Sequence, residues 1–178
     1  MDSINKNQSE TNHADLSSTS AAHKIKELAT SAQTCFFCTM SETVGEFPTR
    51  PMSVREVDGA GNIWFLSAAD SHKNQQIAAN HRVTLYFQGS THSDFMQLHG
   101  EVDITTDKAT IQRLWNPIIK TWFTQGIDDP RITVLRFKPR TGYYWDNKHG
   151  DAVAGVKMMI GAVLGKTLDD SIEGNLRL

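Results

Sequence analysis

Residues 50–73 read RPMSVREVDGAGNIWFLSAADSHK, and this stretch decides the fold. The turn sequence Asp58-Gly-Ala-Gly61 separates two runs of strand-forming residues, which predicts a β-hairpin. A helix is predicted to follow, with Ser71 as its N-cap and Lys73 in its first turn. The hairpin therefore brings a basic strand, which begins at Arg50, close to a basic helix start.

This arrangement is typical of a phosphate site. The first turn of a helix offers unpaired backbone N–H groups and a partial positive charge, to which Ser71, His72 and Lys73 add a hydroxyl, an imidazole and an ammonium. The guanidinium of Arg50 suits phosphate oxygens and is within reach of the same pocket. The alternative is a capped surface helix beside a solvated arginine, and these residues alone leave both interpretations open.

Two other residue groups have an ordinary structural explanation. The aromatic residues Trp64, Phe65 and Trp122 suit a planar ligand, but core packing is the more frequent use of such side chains. Cys35 and Cys38 form a C-x-x-C within a predicted buried strand, where positions i and i+3 face opposite sides. A zinc site needs two further ligands and a redox dithiol needs a helix start, so we predict two packed thiols and no metal site.

Composition limits the class of protein. The chain has 178 residues, of which 39% are hydrophobic and 21% charged, as expected for one globular domain with tails. Its net charge of −2 gives no general attraction for nucleic acid or for an anionic membrane. No apolar run approaches the roughly 18 residues that span a bilayer, and the N-terminus does not resemble a signal peptide. We therefore expect a cytoplasmic protein that binds neither nucleic acid nor membrane.

Periodicity predicts a mainly β domain with peripheral helices. We expect a disordered arm over 1–19, the domain over 20–165 and a polar tail over 166–178. Six strands and four helices are predicted: strands over 35–40, 47–57, 62–67, 82–88, 94–104 and 132–145, and helices over 21–32, 71–81, from Asp107 and after Gly150. Because closure removes exposed sheet edges, six strands of this kind favour a small antiparallel barrel.

The motifs together resemble a known family. R-P-M-x5-D-x-x-G-x-I-W-F from Arg50, S-x-K from Ser71 and R-V-x-L-x-F-Q ending at Gln88 are similar to the flavin-binding split-barrel family that includes pyridoxamine 5′-phosphate oxidase. L-W-x-P from Leu114 and W-F-x-x-G-x-D-D-P from Trp122, together with Tyr-Trp at 144–145, resemble its general stress protein 26 branch. The resemblance covers about residues 20–165 and implies a six-stranded antiparallel split β-barrel.

The resemblance also implies a cofactor and its site. FMN is expected in a homodimer, with two sites at the subunit interface, and FAD, deazaflavin or haem are the alternative cofactors. Arg50, Ser71 and Lys73, beside His72, correspond to the phosphate site, and Gln88 meets the polar edge of the ring. The partner subunit is expected to contribute Trp122 or Trp145. The remaining residues implied are those that line the flavin ring: Pro51, Met52, Ser53, Phe65, Leu66 and Ser67.

The substrate does not follow from the resemblance. Pyridoxamine phosphate oxidases carry an Arg-x-His substrate clamp, and the sequence contains no Arg-x-His. Arg55 occupies the position of a substrate-phosphate lysine in those oxidases, but one cation does not rebuild the clamp. We therefore expect a flavin-binding stress protein that acts as an FMN-dependent oxidoreductase on an unknown donor, without an evident catalytic side chain. The alternative is a module that binds or sequesters flavin without turnover.

Overall fold

The computed structural model describes residues 12–40, 46–91, 93–148 and 170–178. Within these ranges nine strands form one sheet and three α-helices flank it. The strands are β1 (Leu16–Ser17), β2 (Thr34–Thr39), β3 (Thr49–Ser53), β4 (Glu56–Val57), β5 (Ile63–Ala68), β6 (Arg82–Gln88), β7 (Phe95–Thr105), β8 (Ile132–Asn147) and β9 (Ser171–Arg177). The helices are α1 (Ser18–Ala32), α2 (His72–Ala79) and α3 (Lys108–Leu114), with short 3-10 helices at Pro117–Thr121 and Gly126–Asp128.

The sheet does not close into a complete barrel. The strand order is β1-β9-β8-β7-β6-β2-β3, and β5, which carries β4, also pairs with β8. One edge of β8 is shared, because residues 132–137 pair with β5 and residues 141–147 pair with β9. At the opposite end β3 pairs with β2, and in the described residues no ladder joins β3 to β5. We call this gap between β3 and β5 the seam.

Two apolar clusters hold β5 from both faces. Its inward residues Ile63 and Phe65 are fully buried in the main core, where Phe65 packs edge-to-face on Phe37 at a centroid distance of 5.4 Å. Its outward residues Trp64 and Leu66 pack on a second cluster formed by α3 and the segment that follows it. Period-two alternation therefore gives β5 one buried and one partly buried face, both packed, which makes the strand a rigid support for the helix that follows.

Most predicted elements are confirmed. The mainly β architecture with peripheral helices is present, and the strands predicted over 35–40, 62–67 and 82–88 correspond to β2, β5 and β6. The strand predicted over 47–57 is divided into β3 and β4, because the chain leaves β2 after Ser53 and joins β5. The bulge predicted at Gly100 is also present, as a register shift between His99 and Gly100.

Two segments that were predicted to lie outside the domain contain strands where the structure describes them, namely the disordered arm and the polar tail. In the predicted arm over 1–19, Leu16–Ser17 forms β1, which pairs in parallel with β9, and α1 begins at Ser18. In the predicted polar tail over 166–178, Ser171–Arg177 forms β9, and Leu176 is fully buried. The two segments form backbone hydrogen bonds with each other. Because such bonds do not require apolar side chains, largely polar segments can form strands at this sheet edge. These two strands, together with the division of the predicted 47–57 strand into β3 and β4, raise the count from the predicted six to nine in the described residues.

The helix predicted after Gly150 lies outside the described residues. Among the helices that the structure does describe, none combines the length and the apolar character needed to cross a bilayer.

Candidate functional site

A buried polar network fixes the start of α2. The Ser71 hydroxyl caps the helix by accepting from the Asn74 backbone N–H at 3.3 Å. Ser67 donates to the Asn74 side-chain oxygen at 2.7 Å, and the Asn74 amide donates to the Thr133 hydroxyl at 2.9 Å. Thr133 in turn donates to the Ser67 carbonyl at 2.9 Å. The helix start is therefore held firmly on β5 and β8, beside the seam.

Side chains from α2 reach across the seam to β3. Arg50 on β3 donates through Nη1 to the Thr39 hydroxyl at 3.1 Å and through Nη2 to Gln76 Oε1 on α2 at 3.0 Å. Thr39 donates to the same Gln76 oxygen at 2.6 Å. Lys73, one helical turn before Gln76, places its Nζ 3.1 Å from the Met52 sulfur. These contacts join α2 to the paired strands β2 and β3.

Two cations, Arg50 and Lys73, lie near each other at the seam. Burial, with a smaller contribution from the nearby Arg50 charge, lowers the pKa of Lys73 to about 8. Burial also lowers the pKa of Arg50. Within the described ranges, no carboxylate forms an ion pair with either side chain. Like charges held together in this way form a site that an anion stabilises.

The two cysteines are separate packed thiols, as predicted. Cys35 lies in the main core, where burial, with a smaller contribution from Cys38, raises its pKa to about 12. Cys38 lies on the other side of β2, and its sulfur is 3.2 Å from the Thr49 hydroxyl. In the part of the chain that the structure describes, no group of three His, Cys, Asp or Glu side chains suits a metal ion.

Other predicted site residues lie on the outer face of the sheet. Pro51 faces away from Arg50 and Met52 because successive strand residues alternate. With Gln88 and Trp145 it lines a cavity of about 420 Å³, which we call the sheet-face pocket. The further residues that line this pocket are Thr34, Cys35, Phe36, Tyr86, Phe87, Phe95, Met96 and Gln97.

Of four further predicted residues, two have side chains packed elsewhere and two are exposed. Phe65 belongs to the main core and Leu66 to the second cluster, so near the seam only their backbone is available to a ligand. Trp122 is 67% exposed, follows the 3-10 helix at Pro117–Thr121, and accepts a hydrogen bond from Arg131 through its carbonyl. His72 is exposed in the first turn of α2.

Ser53 and Arg55 line a second cavity, of about 630 Å³, together with Lys26 and Thr30 of α1. The Arg55 guanidinium donates to the Leu114 carbonyl at 3.1 Å, so it is turned toward α3. The structure thus divides the predicted site residues: Arg50, Met52, Ser67, Ser71 and Lys73 meet at the seam, and Pro51, Gln88 and Trp145 meet at the sheet-face pocket.

Sequence reasoning missed Thr39, Asn74 and Gln76. One signal for Gln76 was available, because it lies three residues after Lys73 and therefore on the same face of the helix. Thr39 carried no such signal, since its position beside Arg50 depends on the pairing of β2 with β3.

Solved structures share this open architecture. A general stress protein 26 from Jannaschia sp. CCS1 superimposes with a TM-score of 0.74 at 19% identity, over 88% of this chain and 97% of that chain. The general stress FMN/FAD binding protein from Xanthomonas citri superimposes with a TM-score of 0.56 at 27% identity, over 67% of this chain and 82% of that one. The fold is therefore that of the split β-barrel proteins.

The family follows from the sequence match. Residues 20–169 match the family described as pyridoxamine 5′-phosphate oxidase like, and the chain belongs to this family. Protein bli-3 of Neurospora crassa is 26% identical over 133 residues, which cover 68% of this chain and 64% of that relative. The match thus spans less than two thirds of the length of the relative. The resemblance predicted from the motifs is confirmed.

Proposed function

We propose that the seam binds the phosphate of FMN. The observation that carries this proposal is the meeting of Arg50 and Lys73, from different elements and without a carboxylate partner in the described residues. Ser71 and the backbone N–H groups at the start of α2 add uncharged donors, which suit phosphate oxygens. The donor set therefore fits a dianion, and the Xanthomonas citri structure described as FMN/FAD binding supports a flavin.

The ring of the flavin is proposed to lie along the seam between β3 and β5. Met52 borders it from β3, whereas Ser53 lines the second cavity. The backbone of residues 65–67 borders it from β5, because the Phe65 and Leu66 side chains are packed away. Main-chain groups on a strand that is packed on both faces hold a planar ring without rearrangement.

A second copy of the chain is proposed to cover the sheet-face pocket. Phe36, Tyr86 and Trp145 are 59%, 44% and 41% exposed on one face, an unusual density of large apolar side chains for a free surface. A homodimer through this face would bury them. It would also bring Gln88 and Trp145 of one copy toward the flavin of the other, whereas Trp122 does not line this pocket.

Bound flavin supplies the redox chemistry, and we propose that the protein is a cytoplasmic FMN-dependent oxidoreductase whose donor is unknown. The side chains at the seam bind and orient the cofactor. One observation favours the second candidate, a flavin-binding module without turnover: the hydroxyls and amides of the described seam residues are engaged with each other.

The first experiment is the visible absorption spectrum and the mass of the ligand that copurifies with the protein. Arg50→Ala combined with Lys73→Ala should lose FMN during gel filtration, since both cations are proposed to pair with its phosphate. Lys108→Ala, which removes an exposed cation at the start of α3, is the control and should retain it. Retention of FMN by the double variant with unchanged affinity would refute the site.

Turnover separates the two candidate functions. Steady-state oxidation of NADH or NADPH by the FMN-loaded protein would support the oxidoreductase. A flavin that stays oxidised with every donor tested would support the binding module.

A further inference from the structure

Arg50 is held by neutral acceptors, unlike most other arginines with a described side-chain partner. Its guanidinium contacts an amide oxygen and a hydroxyl, Gln76 Oε1 and Thr39 Oγ1, which also bond to each other. Four other arginines instead form ion pairs with a carboxylate: Arg113 with Glu56, Arg131 with Asp129, Arg136 with Asp103 and Arg140 with Glu101.

Neutral acceptors orient a guanidinium without cancelling its charge. A guanidinium carries five N–H donors, and Gln76 and Thr39 occupy two of them, so three remain for a ligand. Thr39 is fully buried and Gln76 lies on α2, so the pair fixes Arg50 relative to two elements at once. The remaining charge acts on Lys73, whose pKa Arg50 lowers.

We propose that Gln76 is a positioning residue for the anion site, and that its neutrality keeps Arg50 available to the phosphate. This inference rests on the proposed function, since it takes the ligand at the seam to be FMN. A carboxylate at position 76 would have almost the same size but would pair with Arg50 in place of the ligand. The uncharged amide is therefore what allows Arg50 to be both ordered and free to bind an anion.

Gln76→Glu tests this directly. We expect the variant to fold, with a melting temperature equal to or above that of the wild type, because the new carboxylate meets an existing cation. Its affinity for FMN should fall by at least about tenfold, the effect of one charge-assisted hydrogen bond. Its affinity for riboflavin, which lacks the phosphate, should stay unchanged. A loss confined to FMN is a result that general damage to the fold would not produce.

Gln75→Glu is the matched control. Gln75 is the preceding residue of α2 and is exposed, so it introduces the same charge without the contact to Arg50. We expect its FMN affinity to stay within about threefold of wild type, because an exposed charge is screened by salt. Gln76→Met, which removes the acceptor without adding charge, should weaken FMN several-fold and leave riboflavin binding unchanged.

Equal weakening of FMN by Gln75→Glu and Gln76→Glu would overturn the inference, as would equal weakening of FMN and riboflavin by Gln76→Glu. Wild-type FMN affinity in Gln76→Glu would overturn the inference alone and leave the flavin site standing. A wild-type protein that binds no FMN would overturn the proposed function, and this inference with it.

Discussion

Lys73 illustrates how a binding residue works against the stability of the fold. Its ammonium is largely buried beside Arg50, and both effects lower its pKa to about 8. Lys73→Met should therefore raise the melting temperature of the ligand-free protein, by about 2–4 °C if relief of the buried charge amounts to about 1 kcal/mol. The same change should weaken FMN by at least about tenfold. Differential scanning fluorimetry and flavin titration measure the two effects.

The control for this prediction is Lys108→Met, which removes an exposed cation and should change neither quantity appreciably. A Lys73→Met protein that is both less stable and unchanged in FMN affinity would show that Lys73 serves packing alone.

The pKa of Lys73 also predicts how flavin binding depends on pH. Because the pKa of free Lys73 is about 8, its charge is present below that pH and is lost above it. The dissociation constant for FMN should therefore be nearly constant at about pH 7 and rise above about pH 8, at most about tenfold per pH unit. Lys73→Arg should abolish this rise, since arginine stays charged. Fluorescence titration from neutral to alkaline pH tests it, and identical profiles for both proteins would contradict it.

At the scale of elements, the pairing of β1 with β9 depends on a glycine. A Cβ at Gly174 would overlap the Ala14 carbonyl oxygen and lie 2.5 Å from its carbon. That oxygen also accepts a hydrogen bond from the buried Tyr144 hydroxyl at 2.9 Å. Gly174→Ala should displace residues 12–17 from β9 and lower stability by about 1–3 kcal/mol, the usual effect of overpacking.

Limited proteolysis of the N-terminal segment and thermal unfolding would measure this change. Gly59→Ala is the matched control, since a Cβ at Gly59 meets nothing within 4 Å. Equal protection of residues 12–17 in Gly174→Ala and in the wild type would show that the strand tolerates the methyl group.

The same glycine explains why β9 could not be predicted. Strands such as β6 were predicted because Val83, Leu85 and Phe87 alternate with polar residues. In β9 the alternation fails between Ile172 and Leu176, because the intervening inward position must be Gly174. Local patterns also predicted Arg50, Ser71 and Lys73, which follow one another along a strand, a hairpin and a helix cap. The contact between Gln76 and Thr39 could not be predicted, since only the tertiary fold brings these residues together.

At the scale of the whole molecule, the seam and the sheet-face pocket lie on opposite faces of β3. Arg50 and Met52 face the seam, and Pro51 between them lines the pocket. Phe36 on β2 lies opposite Pro51 on β3 and opposite Tyr86 on β6. Pro51, Phe36 and Tyr86 therefore form a continuous row across three strands. A second copy of the chain bound over this row would contact β3, the strand that carries the proposed phosphate ligand Arg50.

Dimerisation and flavin binding should therefore fail together. Phe36→Asp places a charge in the middle of the row and should convert the protein to a monomer in analytical ultracentrifugation, because burying an unpaired carboxylate is costly. The monomer should bind FMN more weakly although Arg50 and Lys73 are intact, since the partner is proposed to complete the site. Leu178→Asp is the control: Leu178 is also exposed but lies beside Gly61 and does not line the sheet-face pocket, so this variant should stay dimeric. A monomeric Phe36→Asp protein with full FMN affinity would place the whole flavin site within one chain.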